Sequence, residues 1–246
     1  MSQQTAQKSQ VKRAVILSGG LGMRLRPFTD AIPKPLLPVG EKAVLEIQIE
    51  RLAKAGFQEV YLATNYKSSY IERFFGDGSD YGVRLVVSKE RKPLGTAGPL
   101  SLLRKELGTA PFLVMNGDIL TLMDFSDMYR FAVSRGCPFT AGVKKIVTPF
   151  SFGDIKFDGD RITSVVEKPD IISYALAGIY VLTPEALALI PDDTYYGIDD
   201  LIHAMLARGD EVLKYEIKDY WLDIGRVDDF EKAQKGYLKA EEQADD

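Results

Sequence analysis

The sequence predicts an α/β fold: a Rossmann-like, mostly parallel mixed sheet flanked by helices, with a small antiparallel lobe. Three observations predict it. Through the first half, short apolar runs alternate with segments of helical spacing, the βαβα rhythm that places helices on both faces of a parallel sheet. After about residue 138 the rhythm gives way to successive strands with short polar joints. A chain of 246 residues, 46% hydrophobic and 27% charged, is also large enough for one domain with a substantial core.

Each element has its own signal. The run Ala14-Val15-Ile16-Leu17 reads as a buried strand. Leu45, Ile49 and Leu52 give 44–55 a helical spacing. Strand 59–63 follows, then helix 68–75 with Ile71, Phe74 and Phe75 on one side. Strand 84–88, helix 98–107, strand 112–115 (ending at Asn116-Gly117-Asp118) and helix 125–134 complete the first half. In the second half 139–147, 152–157 and 161–167 read as strands, with Asp158-Gly159-Asp160 a hairpin turn. Strand 177–182 leads to Thr183-Pro184-Glu185, an N-cap followed by proline at the first helical position. Helices 197–207 and 227–240 and strand 212–217 close the pattern, a single domain over 13–240. Residues 1–12 are polar and read as a frayed tail, and 241–246 as an acidic, solvated one.

Composition removes several classes. A net charge of −4 gives no support for nucleic-acid binding, so any attraction for phosphate must be local. Cys137 is the single cysteine, which excludes an intrachain disulfide and a cysteine-based zinc site and fits a reducing, cytoplasmic setting. No apolar run approaches the roughly 20 residues that span a bilayer, and the start lacks a signal-peptide core. His203, the only histidine, falls in a predicted helix and reads as a surface or packing residue. No Ser-His-Asp triad is therefore available.

The most specific segment follows the first strand. Gly19, Gly20 and Gly22 let the backbone turn tightly and approach a ligand, and Arg24, Arg26 and Lys34 add three cations. A strand opening into a Gly-rich, Arg-bearing loop makes a phosphate cradle from backbone N–H groups and fixed charge. It is not the dinucleotide fingerprint of a dehydrogenase, because Leu25 stands where the third glycine belongs and Pro27, Pro33 and Pro35 forbid a regular helix. It is not a Walker A loop, because no Gly-Lys-Ser/Thr follows.

Gly19-Gly20-Leu21-Gly22-Met23-Arg24-Leu25-Arg26-Pro27 followed by Pro33-Lys34-Pro35 resembles the signature of the sugar-1-phosphate nucleotidylyltransferases, or nucleotide-sugar pyrophosphorylases. Pro93-Leu94-Gly95-Thr96-Ala97-Gly98, Asn116-Gly117-Asp118, Val166-Glu167-Lys168-Pro169, Ala177-Gly178-Ile179-Tyr180 and Trp221-Leu222-Asp223-Ile224-Gly225 continue the resemblance in that family's order over roughly residues 13 to 235. Two positions depart from the pattern: Met23 replaces a small hydroxyl residue, most often threonine, and Tyr195–Asp200 is worded unusually.

The resemblance implies a nucleotide-diphospho-sugar transferase fold, with 13–135 mainly binding nucleotide and 136–240 mainly binding sugar. It implies condensation of an NTP with a sugar-1-phosphate to an NDP-sugar and pyrophosphate. Arg24 would clamp the β- and γ-phosphates, Lys34 would stabilise charge near the α-phosphate, and Asp118 and Asp223 would hold Mg²⁺. Arg26 either assists or is a solvated charge. Leu17, Gly19, Gly20, Gly22, Gly95, Thr96 and Gly117 would surround the nucleotide, with Lys89 and Glu90 candidates for the base edge. Glu167 would bind sugar hydroxyls and Lys168 the sugar phosphate, with Gly153 and Gly178 leaving room for the ring. The mannose-, heptose- and hexosamine-1-phosphate guanylyl- and uridylyltransferases are the branch most resembled, with GTP preferred over UTP or dTTP. A catalytically weak paralogue that binds nucleotide-sugar is the alternative from another class. No hexapeptide repeat follows, so a compact single-domain member is expected, with no membrane partner and a homodimer as the default assembly.

Overall fold

The computed structural model describes residues 11–20, 22–65 and 67–245. Thirteen strands occur among them: β1 (Arg13–Leu17), β2 (Pro38–Val39), β3 (Lys42–Ala43), β4 (Glu59–Thr64), β5 (Arg84–Lys89), β6 (Phe112–Asn116), β7 (Ile119–Thr121), β8 (Phe139–Pro149), β9 (Gly153–Asp158), β10 (Arg161–Glu167), β11 (Asp170–Leu182), β12 (Val212–Glu216) and β13 (Trp221–Asp223). The α-helices are α1 (Phe28–Ala31), α2 (Val44–Lys54), α3 (Ser68–Phe75), α4 (Arg104–Leu107), α5 (Phe125–Arg135), α6 (Pro184–Ala188), α7 (Ile198–Ala207) and α8 (Val227–Asp245).

Seven strands form the central sheet in the order β12-β8-β11-β6-β1-β4-β5. β1 is parallel to β4 and β6, β4 to β5, and β8 to β12. Only β11 runs against its neighbours β6 and β8. The sheet is therefore mostly parallel, as the alternation of strands and helices predicts.

Strand periodicity divides the core into two layers. Ala14, Ile16, Leu113 and Met115 face Leu45, Ile49 and Leu52 of α2 and Phe125 and Met128 of α5. Val15, Phe112 and Val114 face the other way, toward Leu100, Leu103, Leu187, Leu201 and Met205. A third cluster joins Leu25, Leu37, Leu120 and Ile224 to Ala233 and Tyr237 of α8, so the last helix clamps the Gly-rich loop to the acid-bearing strands.

Four expectations need correction. Phe74 does not share the buried side of α3: Ile71 and Phe75, one turn apart, fill the contact with the sheet, while Phe74 stacks on Phe75 and stays 54% exposed. Segment 98–107 is a 3₁₀ helix (Gly98–Leu103) before it becomes α4, its start pinned by bonds from Ala97 and Gly98 N–H to Tyr196 O. The acidic tail is helical through Asp245, helped by the Tyr237 hydroxyl donating to Glu241 one turn on. The strand expected from 177 begins at Asp170, because β11 pairs with β8 out to Pro149. The short pairs β2–β3 and β7–β13 escape periodicity altogether, each strand being two or three residues long. The expected tail over residues 1–10 lies outside the described residues.

Candidate active site

Parallel strands β1, β4, β5 and β6 end on one side of the sheet, where open α/β sheets bind ligands. The chain beyond them is cross-tied: Ser18 N–H donates to Ala63 O at 2.7 Å, Glu90 N–H to Thr64 O at 2.8 Å and Gly117 N–H to Leu17 O at 2.9 Å. A cleft of about 760 Å³ opens there. Leu17, Gly19, Gly20, Gly22, Arg24, Lys34, Gly95, Thr96, Gly117 and Asp118, all expected at the nucleotide side, line it.

The Gly-rich loop owes its path to two glycines. Gly22 has φ +62°, and a Cβ there would stand 2.7 Å from Thr29 Cγ2. The Thr29 hydroxyl also donates to Gly22 O at 2.8 Å. At Gly19 a Cβ would come within 2.7 Å of Glu90 Oε1. Beyond Gly22, the 3₁₀ turn Met23–Leu25 buries Leu25 and leaves Arg24 and Met23 exposed at the cleft. Arg26 pairs instead with Asp30 at 3.1 Å on the surface, the solvated alternative.

The two acids meet through an element that sequence reasoning missed. β13 pairs antiparallel with β7, setting Asp223 opposite Ile119, next to Asp118. Ile224 N–H donates to Asp118 O at 2.9 Å, and the Trp221 indole N–H donates to Ala177 O at 2.9 Å, fixing β13 against β11. Lys34 Nζ forms an ion pair with Asp118 Oδ2. Asp118 Oδ1 is buried with no hydrogen-bond partner among the described residues. Protein crowding around Asp223, and then the Asp118 charge, hold its pKa above the ordinary aspartate value, while Lys34 and Arg24 pull it down. Asp223 is nevertheless exposed; Asp118 and Gly225 line the cleft, and Asp223 itself does not. Among the described residues no group of three or more His, Cys, Asp or Glu is placed to hold a metal ion. Two carboxylates, one of them with an unpartnered oxygen, suit Mg²⁺ completed by phosphate oxygens and water.

On the base side, Glu90 Oε2 accepts from Leu94 N–H at 3.0 Å, while Oε1 lies against Gly19 with no donor among the described residues. Burial raises the Glu90 pKa, partly offset by the Leu94 N–H. Lys89 turns away to pair with Glu72 at 2.8 Å, so only Glu90 of the two base-edge candidates reaches the cleft. Segment 194–198 clasps the 94–98 loop: Tyr196 N–H donates to Leu94 O at 2.9 Å, and Ile198 N–H to Thr96 Oγ1 at 2.8 Å. Gly95, at φ +80°, has no room for a Cβ against Tyr196 O.

The sugar-side residues divide. Gly178, at φ +70°, packs under Asn116, where a Cβ would stand 2.6 Å from Asn116 Nδ2. Gly153, Glu167 and Lys168 lie on the exposed β9–β10 hairpin and do not line the cleft. Gly153 pairs with Glu167 across the hairpin, and Lys168 adopts φ +47° as the strand ends. The structure thus does not bring this trio to the acids.

Three further residues shape the cleft. Gln48 is buried, and its side-chain amide donates to Asn116 O at 3.0 Å and Ile119 O at 2.7 Å, holding the Asp118 turn from beneath. It had a signal: a polar residue inside the Leu45/Ile49/Leu52 stripe. Asn116 lines the cleft above Gly178. Tyr195 lines it and is 69% exposed. Only its unusual wording marked it in sequence. Away from the site, the buried Cys137 Sγ lies 3.2 Å from two carbonyl acceptors, Phe139 O and Glu211 O, and His203 is exposed. No helix among the described residues is long and apolar enough to cross a membrane.

Comparison with known proteins identifies the family of the chain. The chain is 37% identical over 235 residues to the mannose-1-phosphate guanylyltransferase catalytic subunit beta of Danio rerio, covering 93% of this chain and 65% of that protein. It is 35% identical over 234 residues to a probable mannose-1-phosphate guanylyltransferase 1 of Oryza sativa subsp. japonica, covering 92% and 64%. The chain thus spans somewhat less than two thirds of the length of these relatives. Among solved structures, a putative glucose-1-phosphate thymidylyltransferase from Bacillus anthracis superposes with a TM-score of 0.76 at 24% identity, over 92% of this chain and 94% of that one. HddC from Yersinia pseudotuberculosis, complexed with GMP-PN, superposes at 0.70 and 24%, over 92% and 99%. These two likenesses carry the fold. The nucleotidyl transferase family model matches residues 13–240, and the chain belongs to that family.

Proposed function

We propose that this chain condenses GTP with mannose-1-phosphate, giving GDP-mannose and pyrophosphate. The observation that carries the reaction class is that Lys34, Asp118 and Arg24 line one cleft with the Gly-rich loop, with Asp223 coupled to them electrostatically. A sugar-phosphate oxygen attacks the α-phosphorus of the NTP in line. The bond from that phosphorus to the β-phosphate bridging oxygen breaks, and pyrophosphate leaves. The attacking oxygen is already anionic near neutral pH, so positioning and charge neutralisation suffice.

Arg24 grips the β- and γ-phosphates, where its planar fork matches phosphate oxygens. Lys34 faces the α-phosphate. Asp118 and Asp223 would hold Mg²⁺, which would supply charge neutralisation to the phosphates. Glu167 and Lys168 take the sugar hydroxyls and sugar phosphate once the hairpin approaches the cleft.

The preference for GTP rests on Glu90. An ionised carboxylate only accepts hydrogen bonds. Guanine presents adjacent N1–H and N2–H donors that it can accept together, whereas uracil and thymine present one N–H flanked by carbonyls that repel it. The mannose-1-phosphate guanylyltransferases among the relatives support the same choice and suggest the sugar. A cytoplasmic location accords with a reduced, buried Cys137.

The test crosses GTP, UTP, dTTP, CTP and ATP against a panel of sugar-1-phosphates with Mg²⁺ and reads pyrophosphate. Release requiring GTP and mannose-1-phosphate together is expected. Release with another pair reassigns the substrates, and folded protein that binds GTP without turnover in any pairing overturns the enzyme. Glu90→Gln should lower kcat/KM for GTP about 100-fold and leave that for UTP within a few-fold.

A further inference from the structure

We propose that Lys34 keeps the Asp118/Asp223 pair closed to divalent cations until nucleotide arrives, so that the metal enters with the triphosphate rather than before it. This rests on the reading of those two acids as the metal pair.

Lys34 is not a loose surface cation. Pro33 and Pro35 flank it, it opens the 3₁₀ turn Lys34–Leu36, and its backbone O accepts from Leu37 N–H at 3.1 Å. Its side chain is only 13% exposed, and its ammonium sits directly on Asp118 Oδ2. Asp118 is equally constrained: Gly117 N–H is tied to Leu17 O, and its own O accepts from Ile224 N–H. Of the two Asp118 carboxylate oxygens, Oδ2 is thus already occupied, by a group whose backbone is held in place, and the unpartnered Oδ1 is buried.

Charge counting gives the same direction. Two carboxylates face two cations, Lys34 and Arg24, all of them coupled electrostatically to Asp223. The next acid, Asp229, also acts on Asp223; it accepts from Arg226 N–H at 3.1 Å and approaches Lys232 at 3.7 Å, which offsets part of its charge. A divalent cation entering this set must displace an ammonium from Asp118 and meet two fixed cations. A triphosphate reverses both conditions. It draws Lys34 and Arg24 onto its own oxygens, uncovers Asp118, and brings negative charge and extra ligands. Metal and nucleotide are then coupled ligands, each raising the affinity of the other.

The test titrates the full chain with Mn²⁺, reading free Mn²⁺ by EPR with no nucleotide present. Wild type is compared with Lys34→Met and Lys34→Gln, two neutral replacements of differing polarity, so that misfolding of one leaves the other. Each folded variant should bind Mn²⁺ at least about tenfold more tightly than wild type, within the usual range of such couplings. Equal affinities in wild type and a folded variant overturn the latch. Tight binding by Lys34→Gln that survives addition of Asp118→Asn also overturns it, because the ion then sits elsewhere. Failure of the underlying metal reading looks different: Mn²⁺ affinity in the presence of the non-reacting α,β-methylene analogue of GTP would then be the same in wild type and in Asp118→Asn.

Discussion

Around Asp118 the strands are buried and cross-braced, whereas the arm made of β9, β10 and the outer parts of β8 and β11 stands in water. Ala14, Val15, Ile16 and Leu113 are fully buried, and Gln48, Ile224 and Trp221 lock the turns and strands that carry the acids. On the hairpin, Ile155 pairs with Val165 and Phe157 with Ile162, placing four apolar side chains on one face, with Phe157 69% and Val165 62% exposed. The difference matches the two halves of the proposed reaction. Transfer at phosphorus needs charges held in place before the ligand arrives. Sugar selection can be made by an element that closes afterwards, and a two-stranded ribbon remote from the core is cheap to move.

Six substitutions and a pH series would break or sharpen that contrast. The largest effect belongs to the acids: Asp118→Asn or Asp223→Asn should lower turnover by about 10³-fold or more while the far-UV CD spectrum is retained. Wild-type rates in both at ordinary Mg²⁺ would remove them from the site. In urea unfolding, Leu113→Ala in the floor should cost about 3 kcal/mol, whereas Phe157→Ser on the arm should change stability by less than about 0.5 kcal/mol. A large loss at Phe157 would mean that the arm is packed in solution. Arg24→Ala should raise KM for GTP and pyrophosphate by about 10- to 100-fold with little effect on the sugar phosphate. Glu167→Ala should do the reverse, raising KM for the sugar phosphate by about tenfold and sparing GTP. An effect of either on the wrong substrate would exchange the two halves.

The smallest effect is a pH dependence. Asp223 titrates above its unfolded value of 3.8 in the folded chain. Between the two values the folded state retains a proton that the unfolded chain has released. Its contribution to stability is therefore present at low pH and lost as pH rises through the folded value. Without metal, Asp223→Asn should melt at a higher temperature than wild type, with the gap widening as pH rises from about 4 through that window. A gap that narrows would contradict the crowding and Asp118 repulsion assigned to Asp223.

Much of the cleft lining was legible because backbone demands are local. The requirement for glycine at Gly22, the proline brackets around Lys34 and the acid at the end of an apolar strand all act over a few residues, whereas the close approach of Glu90 to Gly19 is tertiary. The contact between Asp118 and Asp223 was not legible from residues alone. It is made by β7 and β13, three residues each and about a hundred positions apart, too short for any periodicity to register. Only the family resemblance paired them. Gln48 was readable in principle as a polar residue in an apolar stripe, but its partners, the carbonyls of Asn116 and Ile119, are tertiary. Phe74 was misassigned because apolar spacing cannot tell which of two adjacent phenylalanines meets the sheet.

The most direct measurement follows two labels through one reaction. Protein, Mg²⁺ and mannose-1-phosphate are incubated with GTP labelled at either the α- or the γ-phosphorus, and the products are separated. The account predicts that the α label appears in GDP-mannose and the γ label in pyrophosphate, with both lost in Asp223→Asn. A γ label released as inorganic phosphate, or carried onto the sugar, would contradict attack at the α-phosphorus and the roles given to Arg24, Lys34 and the two acids.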